Sequence, residues 1–97
     1  NTEAQYRYAR ISEKGTGVEK NIAEAHYYYE LAALKDHAGS LYQLGKFHHR
    51  GIHVKQDDNI AIAFYRYASN KGSEQASTAI AAYYETINVN IDKAADF

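Results

Sequence analysis

Two sets of residues, thirty-six positions apart, carry the clearest binding chemistry in this chain. Tyr6, Arg10, Glu13 and Lys14 recur as Tyr42, Lys46, His49 and Arg50. Offsets of four, seven and eight place each set on one face of a helix. Each face then presents a tyrosine, a cation four residues on and a second cation four residues further. Tyrosine offers rigid amphipathic contact, and Arg or Lys grips a carboxylate or stacks on an aromatic ring. The chemistry is recognition of a protein or peptide carrying acidic or C-terminal carboxylate groups. The expected contact residues are Tyr6, Arg10, Lys14, Tyr42, Lys46, His49 and Arg50. The same residue types also suit an ordinary solvated surface, where ion pairs are weak.

Other clusters lead to less. His49 and His53 have the i,i+4 spacing of two metal ligands on one helix, but Gly51 interrupts that helix. His48 falls on an inward position, and no cysteine or nearby acid completes a set. A packed His48 beside solvated His49 and His53 is the expectation, and no metal or cofactor is expected. Tyr27, Tyr28 and Tyr29 point in three directions from a helix, so they form no base-stacking platform. Asp57 and Asp58 suit the start of a helix, where carboxylates cap free N–H groups. No serine lies in a nucleophile elbow and no glycine loop cradles a phosphate. The expectation is that the chain is not an enzyme.

The elements that position these residues follow from a 36-residue period. Gly15-Thr16-Gly17-Val18 returns as Gly51-Ile52-His53-Val54, and Ala25, Tyr29, Ala32 and Lys35 return as Ala61, Tyr65, Ala68 and Lys71. A fixed period of this length marks a solenoid in which each repeat buries its apolar face on the next. Proline is absent, and glycine is confined to the expected helix ends, which predicts an all-α chain. The spacing predicts a helix from about Glu3 to Lys14 with Ala4, Tyr8, Ile11 and Ser12 inward, then one from Ile22 to Lys35 with Ala25, Tyr28, Tyr29 and Ala32 inward. A third carries Leu41, Leu44, Gly45 and His48. A fourth carries Ala61, Phe64, Tyr65 and Ala68, and a fifth Ala76, Ile80, Ala81 and Tyr84. Asn21 and Ser73 are the expected caps of the second and fifth helices, and Asp57, Asp58 and Asn59 supply caps for the fourth. A loop through Asn88 and Asn90 is expected before a sixth helix near Asp92. Ala9, Gly45 and Ala81 are equivalent small positions, which let helices approach closely.

Ten cations face eight acids over residues 1–72, and one faces four over 73–97. The net charge of −1 argues against binding along a nucleic-acid backbone. No apolar run approaches the roughly 20 residues that span a bilayer, so no direct membrane insertion is expected.

These motifs resemble the Sel-like repeat, a relative of the tetratricopeptide repeat. That pattern runs A-x3-L-G-x2-Y-x2-G-x-G-V, then D-x3-A, then W-Y-x-x-A-A. The first repeat has Ala4, Tyr8-Ala9, Ser12, Gly15-Thr16-Gly17-Val18, Ala25, Tyr28-Tyr29 and Ala32-Ala33. The second has Ser40, Leu44-Gly45, His48, Gly51-Ile52-His53-Val54, Asp57, Ala61, Phe64-Tyr65 and Ala68. The third keeps Ala76, Ile80-Ala81 and Tyr84, then departs. The resemblance implies an α/α solenoid, a right-handed superhelix of antiparallel helix pairs, here about two and a half repeats. It also implies a scaffold or adaptor role, with the first helix of each pair lining a concave face. Residues 1–97 read as a single domain with repeats at about 4–39, 40–75 and a partial 76–97, a piece of a longer array. The leading functional expectation is a non-enzymatic protein-interaction module. The first alternative is a structural spacer whose ligand sites lie in other repeats, and a weaker one is a histidine-dependent metal module. Self-association through the truncated end, with Phe97 exposed, is a further expectation.

Overall fold

The structure, a computed structural model, describes residues 1–15 and 20–95, with side chains through residue 87. Five helices follow in order: α1 (Thr2–Lys14), α2 (Ile22–Ala33), α3 (Ala38–Arg50), α4 (Asp58–Asn70) and α5 (Glu74–Ala95). No strand occurs among the described residues. Each helix start is capped by a side chain that accepts from a backbone N–H, which removes one of the unpaired donors there. Asn1 serves Ala4, Asn21 serves Glu24, Asp57 serves Ile60 and Ser73 serves Ala76, at 3.0–3.1 Å. His37 Nδ1 does the same for Ser40 at 3.1 Å.

The period is visible in the hydrogen bonds. The amide of Asn21 donates to Ser12 O at 2.8 Å, and that of Asp57 donates to His48 O at 2.9 Å. These bonds return the chain antiparallel against the helix it has just left. Gly15 and Gly51 end α1 and α3 at φ 74° and 68°, the left-handed region that costs glycine nothing extra. Two non-glycine residues share that region, Asp36 at φ 61° and His53 at φ 64°. Asp36 stands thirty-six positions before Gly72, and its carboxylate compensates by accepting from the Tyr67 hydroxyl and pairing with Lys71 at 3.5 Å. Thr16, Gly17 and Val18, part of the expected glycine loop, lie outside the described residues, as does Phe97.

Two buried clusters form the core. Ala9, Ala25, Tyr29, Leu44 and Phe47 make the first, and Leu41, Ala61, Tyr65, Ala68 and Ala76 the second. Each joins one helix pair to the first helix of the next. The expected inward residues of α2, α3 and α4 are accordingly buried or half-buried. Those of α1 are not: Ser12 is buried, but Ala4, Tyr8 and Ile11 are exposed. Their counterparts Ser40, Leu44 and Phe47 are covered; α3 packs on α2, which precedes it, and no helix among the described residues packs on α1 from that side. Ala81 and Tyr84 on α5 are exposed for the corresponding reason at the other end. The expected loop at Asn88 and Asn90 is absent, and α5 runs unbroken through the start expected for a sixth helix. No Gly or Pro follows Gly72, and Asn alone costs a helix too little to end it.

Candidate functional site

The face proposed from the sequence begins with the aromatic residues under it. In α1 the Arg10 guanidinium carbon lies 6.0 Å from the Tyr6 ring centre, and in α3 Lys46 Nζ lies 6.0 Å from that of Tyr42. The helical four-residue step sets both contacts, since it stacks one side chain above the other. Arg10 Nη1 also donates to the Tyr6 hydroxyl at 3.1 Å. These four residues are half-buried, whereas Lys14, His49 and Arg50 are exposed. The cations of both helices sense one another. Burial lowers the pKa of Lys46 below the usual ammonium range, Glu13 partly offsets this, and Arg50, Arg10 and Lys14 lower it further. Glu13 is occupied by the Tyr29 hydroxyl, which donates to its Oε1 at 2.6 Å. Burial, followed by that bond, pushes the Tyr29 phenol well above its ordinary value.

The second repeat's set lies in a groove, and the first repeat's does not. Tyr42, Lys46, His49 and Arg50 form one wall of a groove of about 360 Å³. Its floor comes from α4 through Ala61, Ile62 and Tyr65, and its far wall from α5 through Ala79, Ala82, Tyr83 and Ile87. Tyr42 and Tyr65 rings meet at 5.6 Å, and burial pushes the Tyr65 hydroxyl up to about 12. Tyr6, Arg10 and Lys14 instead share a shallower patch along α1 with Arg7 and Ile11. His49 is engaged through one ring nitrogen: its Nδ1 lies 3.0 Å from Asp58 Oδ1, which also accepts from Gln56 Nε2 at 2.8 Å.

Sequence reasoning identified the α3 wall but missed Ile62, Ala79, Tyr83 and Ile87. The period carries the α3 face onto Thr78, Ala82, Glu85 and Thr86. Ala82 and Thr86 of that set line the groove, together with Ala79, Tyr83 and Ile87, so the α5 wall extends about one residue further round the helix than the period gives. The spacing 79, 83, 86, 87 repeats the offsets of the α3 set and was the available signal.

The histidines separate. His48 is half-buried and stacks on Phe64 at 5.5 Å, in keeping with its inward position. His53 meets His26 of α2, with ring centres 5.1 Å apart, while His49 turns to Asp58. Among the described residues no group of three His, Cys, Asp or Glu residues is arranged to hold a metal ion. No helix there is long and apolar enough to cross a membrane.

Known proteins share this architecture. The Sel1 repeat matches residues 2–37 and 38–73. A sel1-like repeat-containing protein of Acanthamoeba polyphaga mimivirus is 36% identical over 69 residues, covering 71% of this chain and 13% of that protein. Protein SHC1 of Saccharomyces cerevisiae is 31% identical over 88 residues, covering 90% and 17%. Among solved structures, a Sel1 repeat protein from Oxalobacter formigenes superposes with a TM-score of 0.83 at 28% identity, over 87% of this chain and 34% of that one. A protective antigen of uropathogenic Escherichia coli with an SLR fold gives 0.80 at 25% identity, over 89% and 19%. The chain therefore spans a small part of each of these proteins. Sel1 repeat proteins generally mediate protein–protein interaction and typically serve as scaffolds. With both repeats matched and an all-α solenoid fold, the chain belongs to the Sel1 repeat family.

Proposed function

We propose that this chain is a non-enzymatic interaction module that holds a partner protein or peptide across the face carrying Tyr6, Arg10, Lys14, Tyr42, Lys46 and Arg50, with His49 at its rim. The observation that carries this reading is the Tyr–cation contact repeated in α1 and α3. Arg10, Lys14, Lys46 and Arg50 form no ion pair with an acid among the described residues. Arg10 and Lys46, held over rings, half-buried and not paired with a carboxylate, suit an incoming anion, because less ordering cost remains to be met on binding.

The test is affinity capture comparing the native chain with a Tyr42→Ala/Lys46→Glu variant whose helical content and melting are unchanged. A partner retained by the first and lost by the second, then bound directly as a purified protein, supports the module. Equal capture by both moves the interface off this face. A second reading, a spacer within a longer array, is favoured by the small share of its relatives that the chain spans. It predicts no capture by either form, and capture once neighbouring repeats are added.

A further inference from the structure

The proposed binding face has two chemically different halves, a stretch of cations along α1 and α3 and the groove that adjoins it, and their adjacency constrains what fits it. Arg10, Lys14, Lys46 and Arg50 all belong to α1 and α3, whereas the equivalent positions of α5 are Thr78, Ala82, Glu85 and Thr86. Positive charge therefore stops at the α3 wall. Beyond it the groove is lined by Ala79, Ala82, Tyr83 and Ile87 over a floor of Ala61, Ile62 and Tyr65, with Thr86 the polar residue of the α5 side and the Asp58 carboxylate next to His49 at the α3 side. The space of about 360 Å³ admits a large apolar side chain and offers few polar partners. Lys46 and Arg50 border it directly, so a ligand group in the space lies next to groups on the cations.

Resting on the interaction reading above, we infer that the partner is a peptide segment in which an acidic stretch is adjoined, on either side and within a residue or two, by a large apolar side chain. The acids lie over α1 and α3, and the apolar side chain enters between α3 and α5. Extended chain advances about 3.3 Å per residue, so the two features must be close in the ligand's sequence. A plain polyanion fills only the charged half. A plain apolar segment desolvates Lys46 and Arg50 and leaves them only Asp58, already bonded to His49 and Gln56, as a counter-charge in the groove, which is costly.

The test uses synthetic peptides of equal length, read by fluorescence anisotropy against the native chain. The reference peptide carries four Asp or Glu residues followed directly by Phe. One control replaces Phe by Ser, one replaces the acids by Asn and Gln, and one separates the acids from Phe by a Gly-Ser spacer of about five residues. The reference is expected to bind at least about tenfold more tightly than each control, the gain from burying one large apolar side chain beside a paired charge. Lys46→Gln is expected to remove the advantage of the acids. Ala82→Trp, a change at an exposed position that fills the groove, is expected to remove the advantage of Phe and keep that of the acids. Equal binding of the reference and the Phe-to-Ser peptide, with both sensitive to Lys46→Gln, overturns this inference and leaves the interaction reading standing. No binding by any peptide, with lysate capture unaffected by Tyr42→Ala/Lys46→Glu, overturns both.

Discussion

His26 acquires its properties from residues more than twenty positions away. Its side chain is 15% exposed, stacked 5.7 Å from Phe47 and 5.1 Å from His53. Burial lowers its pKa from the ordinary 6.5, Glu30 at 3.2 Å partly offsets this, and His53 and His48 lower it further. The folded imidazole is thus the weaker base. Its contribution to stability is full above the unfolded value near 6.5 and is lost as pH falls through the folded value. The melting temperature should drop as the pH is lowered from about 7 to about 5, and His26→Phe should flatten that profile. Glu30→Gln should steepen it. Glu3 and Asp36, both held below their ordinary 4.5 and 3.8 by hydrogen bonds to His37 and Tyr67, titrate beneath this window. Circular-dichroism melts in that range check the assignment, and a flat native profile would count against it. His48 offers a second test, because its Nδ1 is buried without a hydrogen-bond partner while its ring stacks on Phe64. His48→Phe keeps the stack and removes the orphan nitrogen, so urea unfolding should show a gain of about 1 kcal/mol. The inward position of His48 was readable from the period. The environment of His26 was not, because no local pattern reports a contact made across the joint between repeats.

Helix pairing in this chain depends on how closely two axes approach. At Gly45 an added Cβ would lie 2.6 Å from the Tyr65 ring carbons Cδ1 and Cε1. That ring is 4% exposed and has little room to withdraw. Gly45→Ala therefore sets an overpacking cost of about 1–3 kcal/mol against a helix-propensity gain of about 1 kcal/mol. The expected net is a loss, measured by the urea midpoint at unchanged slope. An unchanged or higher midpoint would mean that Tyr65 shifts freely. The equivalence of Ala9, Gly45 and Ala81 pointed to this close approach, and it holds where both partner helices are present: Ala9 is fully buried, whereas Ala81 is exposed. Helix caps were readable in the same way, because Asn21 and Ser73 are short acceptors directly before apolar-periodic runs; for α4 the sequence offered Asp57, Asp58 and Asn59, and Asp57 is the one that caps. What the period could not supply was the behaviour of its own ends. It assigns Ala4, Tyr8 and Ile11 to the inside by analogy with Ser40, Leu44 and Phe47, yet burial requires a neighbouring helix and not only a pattern. It likewise carried a loop into residues 88–90, where the glycines that make that loop are missing.

The molecule as a whole is extended, 52 × 26 × 18 Å, with a radius of gyration of 15.1 Å. A compact domain of this length would have a radius near 12.5 Å. Extension gives a binding face its length, and the groove's α3 wall followed from the repeat alone. The far wall followed only in part, through Ala82 and Thr86; Ala79, Tyr83 and Ile87 complete it from a helix that approaches from the opposite side. Extension also means that the repeats are held to one another by few residues, and Phe47 is central among them. It belongs to α3 yet lies fully buried in the first cluster, edge-on to Tyr29 at 5.7 Å and stacked with His26. Leu41, six residues earlier on the same helix, packs into the second cluster instead. Stability in such an array is the sum of each repeat and its junction, and a weakened junction lets repeats unfold separately. Phe47→Ala should cost about 3–5 kcal/mol and should uncouple the two repeats. Hydrogen exchange should then show α1 and α2 opening at lower urea than α3 and α4, where the native chain opens as one unit. Ala61→Gly, within the second cluster and away from the junction, should lower stability without separating the two. If Phe47→Ala leaves one transition with protection lost evenly across all four helices, the joint is broader than this side chain, and the two repeats behave as a single cooperative core.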